Sequence, residues 1–183
     1  MPAAGGIPLP WQPCHKHRAR GCGRSPKKSD LRTNMMKIEI SHSKDTDRWL
    51  QERHYLHSTP AGAVIRMDFM EDGKRIGAMM WGRNTSPKQD QNNVLCLTRM
   101  YFIDEAPKNT ESHGLAMARK YIRKHHPDIK GLVAYSSTGQ GHEGTVYQAD
   151  GWFEVSRSRG SKDFRDGRKN LDTSAKIKWV RSP

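Results

Sequence analysis

A predicted β-hairpin in the first half of the chain constrains the fold more than any other feature. Two apolar runs, residues 63–69 and 75–81, flank the tetrapeptide EDGK. The pair Asp72-Gly73 suits a two-residue type I′ turn, because both central residues of that turn take positive φ. Any fold assigned to this sequence must therefore contain two adjacent antiparallel strands here.

Further elements follow on both sides of the hairpin. Strands are predicted at residues 37–41, 94–102, 131–136 and 153–156, and AKIKWV near the C-terminus is a candidate last strand. A helix capped by Asn109 or Thr110 is predicted to end before Pro127, and a short helix covers residues 143–149. This order predicts an α/β (α+β) fold with a mixed central sheet flanked by helices. It resembles the GCN5-related N-acetyltransferase fold, in which an acyl-CoA lies where two central parallel strands splay apart.

The stretch RHYLHSTPAG, residues 53–62, gathers polar aromatic side chains. A helix capped by Asp45 or Asp47 is predicted to run through it and to end at Pro60. The helical spacing would place three residues on one face: Leu50, His54 and His57. His54 and Tyr55 suit acid, base or hydrogen-bond-donor roles. The two histidines could also share a metal, although no third ligand is evident, and partly buried helix residues are the alternative.

Charge is concentrated at the two ends of the chain. Residues 1–36 hold seven basic and one acidic residue, residues 157–183 hold nine and three, and residues 37–156 hold 16 and 15. Basic ends around a balanced centre are typical of a protein that binds a polyanion, so nucleic acid is the expected partner. Solvated tails that keep the protein soluble are the alternative.

Composition divides the chain into three parts. Residues 1–35 are rich in Gly, Pro, Arg and Lys, which predicts a disordered basic leader, and Met35-Met36 is an alternative translation start. Residues 36–156 form the predicted catalytic domain, and residues 157–183 form a basic extension with the candidate last strand. No apolar run reaches the ~20 residues that a membrane span needs. Three cysteines form no disulfide framework, so a reducing cytoplasm is expected.

A second group of polar residues follows the predicted strand at residues 131–136. Tyr135 and Ser136 lie at its carboxyl end, where open α/β sheets bind ligands. Tyr147, on the next short helix, occupies the position where acetyltransferases often keep a general acid, and a half-buried helix aromatic is the alternative. Arg99 lies inside an otherwise apolar strand, so it either pairs with a carboxylate or holds an anionic ligand.

The loop before the second long helix differs from the acetyltransferase pattern. Superfamily members usually carry an Arg/Gln-x-x-Gly-x-Gly/Ala run there, whose amides cradle the pyrophosphate, and this chain has PKNTES instead. The helix N-terminus still offers free amides and a positive dipole end. Lys108 adds positive charge and Glu111 opposes it. The loop therefore predicts either a phosphate site or an ordinary capped helix.

Four segments together resemble the Mom family of phage DNA-modification proteins: RHYLHS, GAMMWGR, LTRMYFIDEAPKNTES and YSSTGQGHEGTVYQADGW. The resemblance runs from about residue 37 to about residue 179. It implies a phage-encoded transferase of the host cytoplasm that adds a methylcarbamoyl (acetamido) group to adenine N6 in double-stranded DNA and so protects phage DNA from host restriction. It also implies acetyl-CoA as the donor. Because plain acyl transfer would give N6-acetyladenine, a further step or a cofactor such as iron is needed.

The resemblance also implies roles for individual residues. The catalytic set is His54, Tyr55, Ser136 and Tyr147. The donor groove would be lined by Arg99, Met100, Tyr101, Lys108, Asn109, Glu111 and Ser112. The DNA substrate would contact His57, Arg83, Tyr135, His142, Arg157, Arg159, Lys162 and Arg165. Candidates for stacking on an extruded base are Tyr55, Trp81 and Trp152.

Two other function classes remain open at the level of sequence, and so does the choice between a monomer and a homodimer. One class is a conventional acetyl-CoA-dependent N-acetyltransferase that acts on a protein or a small amine. The other is a non-catalytic basic DNA-binding protein. That last reading predicts that His54→Ala or Tyr147→Phe leaves all activity intact.

Overall fold

The computed structural model describes residues 35–84, 86–160 and 172–183. The predicted leader lies outside the described residues, apart from Met35. The strands are β1 Lys37–Ile40, β2 Ala63–Glu71, β3 Lys74–Gly82, β4 Val94–Phe102, β5 Gly131–Ser137, β6 Phe153–Ser158 and β7 Lys176–Arg181. The helices are α1 Lys44–Arg53, α2 Thr110–His125 and α3 Thr145–Ala149, and Thr138–Gln140 form a 3₁₀ turn. No helix in these ranges is long and apolar enough to cross a membrane.

The strands form one sheet in the order β1-β2-β3-β4-β5-β7-β6. Only β4 and β5 pair in parallel, and the other neighbours are antiparallel. The predicted mixed α/β architecture is therefore confirmed. The last strand, β7, lies between β5 and β6, so the sheet continues past the boundary that the charge pattern predicted at residue 157.

The hairpin between β2 and β3 has the predicted turn. Asp72 and Gly73 have φ values of 49° and 75°, and Glu71 pairs with Lys74. Positive φ at both central positions is the type I′ geometry, whose twist matches that of the flanking strands.

Helices cover both faces of the sheet, but unequally. The main core lies under α2 and α3 and contains Trp81, Phe102, Leu115 and Trp179 among its buried side chains. A smaller cluster of Leu50, Ala78 and Met80 lies under α1 on the other face. A Cβ at Gly114 would lie 2.6 Å from the Phe102 ring, so this glycine permits the close packing of α2 on β4.

The prediction that the first helix continues to Pro60 is wrong. Helix α1 begins after Ser43, whose hydroxyl accepts a hydrogen bond from the Asp45 amide, and it ends at Arg53. His54 is the C-cap, with extended φ and ψ of −77° and 137°, and His57 has a φ of 45°. The physical reason is burial: the chain must leave the helix at His54 to turn this ring inward, and His54 is 8% exposed.

The parallel strands separate in the middle of the sheet. Pairing between β4 and β5 covers only Val94 to Leu97 against Gly131 to Ala134. Beyond this point β5 continues beside β7, and β4 continues beside β3. Thr98 is the extra residue of a bulge in β4, and its hydroxyl donates to the Met80 carbonyl over 3.0 Å. Bulges re-aim side chains next to functional sites, and this one lies where the two strands open.

Candidate active site

A cleft opens where β4 and β5 separate, at the carboxyl ends of the two strands. It consists of two adjoining cavities of about 200 and 460 Å³. Four side chains line both cavities: His54, Tyr55, Tyr135 and Tyr147. The turn after α1 therefore faces the end of β5 and helix α3 across one space.

His54 is held as a neutral hydrogen-bond donor. Its Nδ1 accepts a hydrogen bond from the Leu56 amide over 3.2 Å, so the neutral ring carries its hydrogen on Nε2. Burial lowers the pKa of His54 from 6.5 to about 4, and the nearby charges of Arg99, His142 and His57 lower it further. At neutral pH the ring therefore offers an N–H and no proton-accepting nitrogen to the cleft.

Tyr55 forms the exposed wall of the cleft. Its ring stacks on His54 at 4.4 Å between centroids and lies 5.9 Å from the ring of His142. The side chain is 38% exposed, which makes it the accessible aromatic surface at this site. Burial of the hydroxyl, together with the negative charge of Asp172, raises its pKa, so Tyr55 stays neutral.

Tyr147 is fixed between two tryptophans. Its ring is stacked on Trp179 at 5.8 Å and meets Trp152 edge-on at 5.5 Å. Ser136 completes this wall by accepting a hydrogen bond from Trp179 Nε1 over 2.9 Å. Burial raises the pKa of the Tyr147 hydroxyl well above its usual value. The hydroxyl is therefore a proton or hydrogen-bond donor at every physiological pH.

Arg99 holds the segment that carries His54. Its Nε donates to the Ser58 carbonyl over 2.7 Å, and its Nη1 donates to the Thr98 carbonyl over 2.6 Å. Its described partners are backbone carbonyls and the Ser58 hydroxyl, so the alternative of a carboxylate partner does not apply to these contacts. Arg99 also lines the larger cavity, so it can position the His54 turn and still face the cleft.

Comparisons with known proteins agree with this geometry. The sequence profile of the Mom protein family matches residues 35–182. The chain belongs to the Mom protein family. A relative in Escherichia phage Mu, described as the methylcarbamoylase mom, is 25% identical over 108 residues. That alignment covers 55% of this chain and 45% of the phage Mu protein, so the chain spans less than half of that relative's length.

Solved structures give the fold of this Mom family member. Arabidopsis thaliana NAA60 in complex with acetyl-CoA has a TM-score of 0.58 at 10% identity and covers 81% of this chain and 98% of its own. The Escherichia coli ribosomal-protein-S18-alanine N-acetyltransferase gives 0.56 at 12%, covering 81% and 94%. A Bacillus subtilis acetyltransferase in complex with CoA gives 0.56 at 8%, covering 81% and 99%. The fold is that of the GCN5-related acetyltransferases, as predicted.

The donor-groove residues implied by the Mom resemblance separate into two groups. Met100 and Glu111 line the smaller cavity, and Lys108, Asn109 and Glu111 line a third cavity of about 260 Å³ at the N-terminus of α2. Tyr101 lies on the opposite face of β4, where its ring packs 5.6 Å from Trp49. Tyr101 therefore supports α1 and does not face the groove.

Ser112 has a local role at the start of α2. Its hydroxyl donates to the Asn109 carbonyl over 3.0 Å, which occupies it within the first turn. The Thr110 hydroxyl likewise donates to the Pro107 carbonyl over 2.5 Å, so both hydroxyls in the first turn of α2 donate to the backbone before the helix.

The predicted DNA contacts are also divided. Tyr135 and His142 line the smaller cavity, and Gln89 donates to the Tyr135 hydroxyl over 3.1 Å. His57 lies outside these two cavities, with its ring 3.3 Å from the Gln51 carbonyl. Arg83 and Arg159 are exposed. Lys162 and Arg165 lie outside the described residues.

The structure also places Arg157 and the two tryptophans that the sequence offered as stacking candidates. Arg157 forms an ion pair with Glu154, in which Nε lies 2.5 Å from a carboxylate oxygen. Arg157 is paired with Ile177 between β6 and β7, so its side chain lies on the opposite face of the sheet from that of Lys178. Trp81 and Trp152 are 0% and 4% exposed, so burial excludes both as stacking platforms. Only Tyr55 of those three candidates is accessible.

Metal ligands do not gather in the described ranges. No group of three His, Cys, Asp or Glu side chains there is arranged to hold an ion. His54 and His57, which the sequence suggested as a pair, direct their Nδ1 atoms to different backbone groups, the Leu56 amide and the Gln51 carbonyl.

Sequence reasoning missed two residues that line the larger cavity, Cys96 and Lys176. Cys96 lies on β4 two residues before the bulge, and burial raises the pKa of its thiol to about 11. Lys176 begins β7 and pairs with Asp172 over 2.7 Å. A signal for Cys96 was available, because it precedes the predicted opening on the same strand. Lys176 could not be found without knowing that β7 inserts beside β5.

Proposed function

We propose that this chain is a transferase that attaches a methylcarbamoyl (acetamido) group to N6 of adenine in double-stranded DNA. Its role would be to shield phage DNA from restriction in the host cytoplasm. Membership of the Mom family supports this proposal, as does the description of the phage Mu relative as a methylcarbamoylase. The observation that carries it is the convergence of His54, Tyr55 and Tyr147 at the opening between β4 and β5.

The adenine must leave the duplex to react in this cleft. A base inside the stack cannot bring its exocyclic amine to a recessed pocket, so enzymes of this kind extrude the target nucleotide. Tyr55 is the exposed aromatic at the entrance, and base–aromatic stacking is worth about 1–3 kcal/mol per base. In this proposal Tyr55 stacks on the extruded adenine while its own ring is backed by His54.

His54 and Tyr147 supply hydrogen-bond donors from two sides of the cleft. Because His54 is neutral, its Nε2–H can donate in the buried cleft without the free-energy cost of burying a charge. Such a donor can stabilise an oxygen that gains negative charge during transfer. The Tyr147 hydroxyl is neutral at any physiological pH and can donate a hydrogen bond to a departing group. Other residues fix the orientation of both rings. The Leu56 amide donates to His54, and two tryptophans pack against Tyr147.

Phosphate contacts come from basic residues around the entrance. Lys178 lies on β7 between Tyr135 and Ser156, and its charge lowers the pKa of the nearby Cys96 against the effect of burial. The sequence between Gly160 and Asp172 adds four basic and two acidic residues. Asp172 and Tyr55 line the same neighbouring cavity. Such contacts give a salt-sensitive grip with little sequence preference.

Acetyl-CoA as the donor agrees with some features of the structure and disagrees with others. Two fold relatives are in complex with acetyl-CoA or CoA, and the pairing of β4 with β5 ends just before Thr98, where a thioester arm would enter between the strands. The residues at the N-terminus of α2 do not fit a pyrophosphate, because Glu111 lines that space. No step of the reaction is therefore assigned to acetyl-CoA or to iron.

The proposal can be tested by restriction digestion of a plasmid from bacteria that express the chain. We expect resistance to enzymes that cut at adenine-containing sites. His54→Gln keeps an N–H near the Nε2 position and should retain part of the protection. His54→Asn can accept from the Leu56 amide, but its shorter side chain places no N–H at the Nε2 position, so the protection should be lost. Tyr121→Phe, on the α2 face away from the cleft, is the matched control.

Full sensitivity of the plasmid despite folded wild-type protein would contradict the proposal. Acetylation of a protein or small amine by the same preparation, with unmodified DNA, would instead establish the conventional acetyltransferase. Equal protection by all variants would show that the cleft does not carry the activity.

A further inference from the structure

The N-terminus of α2 is built differently from a phosphate site. Asn109, the residue before the helix, has a left-handed φ of 69° and makes no side-chain cap hydrogen bond. The Thr110 amide donates to the Pro107 carbonyl over 3.1 Å, and the His113 amide donates to the Asn109 carbonyl over 3.0 Å. The His113 bond is the first regular bond of the helix, whereas the Thr110 bond uses one of the free amides that could otherwise receive an anion.

Charge at this place is also unfavourable to an anion. Residues 103–112 contain three carboxylates, those of Asp104, Glu105 and Glu111, against the single ammonium of Lys108. Burial raises the pKa of Glu111, and repulsion from Asp104 raises it further against the effect of His142. A pyrophosphate placed here would add to a surplus of negative charge that the protein already tolerates poorly.

Glu111 faces the space that a donor must cross. It lines both the smaller cavity of the cleft and the cavity at the start of α2, so its carboxylate lies between them. No hydrogen bond or ion pair is made by its side chain to another described residue. Its position in the first turn also compensates the positive end of the helix dipole, which removes the feature that attracts phosphates to helix N-termini.

The glycine that could allow close backbone approach is used elsewhere. Gly114 is buried, and a Cβ there would lie 2.6 Å from Phe102 Cζ and 3.3 Å from Met79 Cε. This glycine therefore serves the packing of α2 on the sheet, and the start of the helix keeps no small residue for a phosphate.

We propose that Glu111 is a specificity-determining residue that closes this groove to the pyrophosphate of a nucleotide carrier such as CoA and opens it to a donor whose carrier is uncharged or positively charged. This inference deepens the proposed function, because it concerns the donor of the same cleft.

The test compares the binding of CoA with that of pantetheine, the uncharged arm of CoA without its phosphates. Calorimetric titration of the wild-type chain should show that CoA binds no more tightly than pantetheine. Glu111→Gln should shift the ratio of the two affinities toward CoA by about tenfold, because one opposing charge is removed near the pyrophosphate. Glu105→Gln removes the same charge from an exposed side chain that does not line the cavity at the start of α2. Because solvent screens this charge, the ratio should change less than in Glu111→Gln.

Binding of CoA to the wild-type chain at least about tenfold more tightly than pantetheine would overturn the inference. An unchanged ratio in Glu111→Gln would overturn it too. If neither compound binds the wild-type chain measurably, a gain of CoA binding in Glu111→Gln supports the inference and no gain refutes it. The plasmid digestion assay on the same proteins reports the proposed function separately, so either claim can fail without the other.

Discussion

The depressed pKa of His54 predicts a loss of stability in mild acid. In the unfolded chain this histidine has an ordinary pKa near 6.5, and in the folded chain its pKa is about 4. Between these values the unfolded state binds a proton that the folded state does not. The contribution of His54 to the free energy of unfolding is therefore complete above pH 6.5 and is lost as the pH falls toward 4.

The size of this effect follows from the shift. One pKa unit corresponds to about 1.4 kcal/mol, so the full shift would give roughly 3 kcal/mol. The ring borders an open cleft, however, and solvent screens part of the effect of burial. We therefore expect the free energy of unfolding to fall by about 2 kcal/mol through His54 alone.

Urea unfolding of the wild-type chain and of His54→Gln at several pH values isolates this contribution. Glutamine does not titrate, whereas Asp68 and Glu111, whose pKa values are raised, titrate in both proteins and cancel in the difference. The stability difference between the two proteins should shrink by about 2 kcal/mol between neutral pH and about pH 4. A difference that does not change with pH would refute the assignment of His54 as a buried neutral ring.

Three further substitutions test other parts of the account. Asp150→Ala removes the carboxylate that accepts two hydrogen bonds from Arg119, and urea unfolding should show a loss of about 3 kcal/mol; a loss below about 1 kcal/mol would contradict a buried pair. Gly144→Ala places a Cβ against the indole beneath it at a φ of 84°, so we expect a loss of about 2 kcal/mol by the same method, and wild-type stability would contradict this geometry. Arg99→Lys keeps the charge but loses the forked grip on the turn after α1, so DNA modification should fall about tenfold at unchanged DNA affinity, and equal losses of both would indicate a phosphate contact instead.

Local sequence signals predicted most of the sheet. The Asp72-Gly73 turn set the register of β2 and β3, and apolar runs located β4 and β5 to within one residue. Only the position of β7 lay beyond such signals. β7 follows β6 in the chain after a long connection, yet it pairs with both β5 and β6. Pairing with β5 joins residues far apart in sequence, and no local pattern contains that information.

The site could be predicted in outline but not in its details. The residue types around His54 and Tyr147 indicated chemistry, and both residues line the cleft. Periodicity extended α1 too far, because the hydrophobic pattern cannot show that His54 turns into the structure as a cap. The sequence offered a carboxylate or an anionic ligand as the partner of Arg99, whereas the structure shows it donating to the carbonyl of Ser58, 41 residues away in sequence. Backbone partners of this kind leave no mark in the sequence.

The central claim is that the cleft between β4 and β5 modifies adenine in DNA. The most direct measurement is the mass of the nucleosides from genomic DNA of bacteria that express the wild-type chain, Tyr147→Phe or Tyr121→Phe. We predict a deoxyadenosine heavier by one acetamido group in cells with the wild-type chain and with Tyr121→Phe, and its loss in cells with Tyr147→Phe. Unmodified deoxyadenosine in all three, from cells that contain folded protein able to bind DNA, would contradict the account.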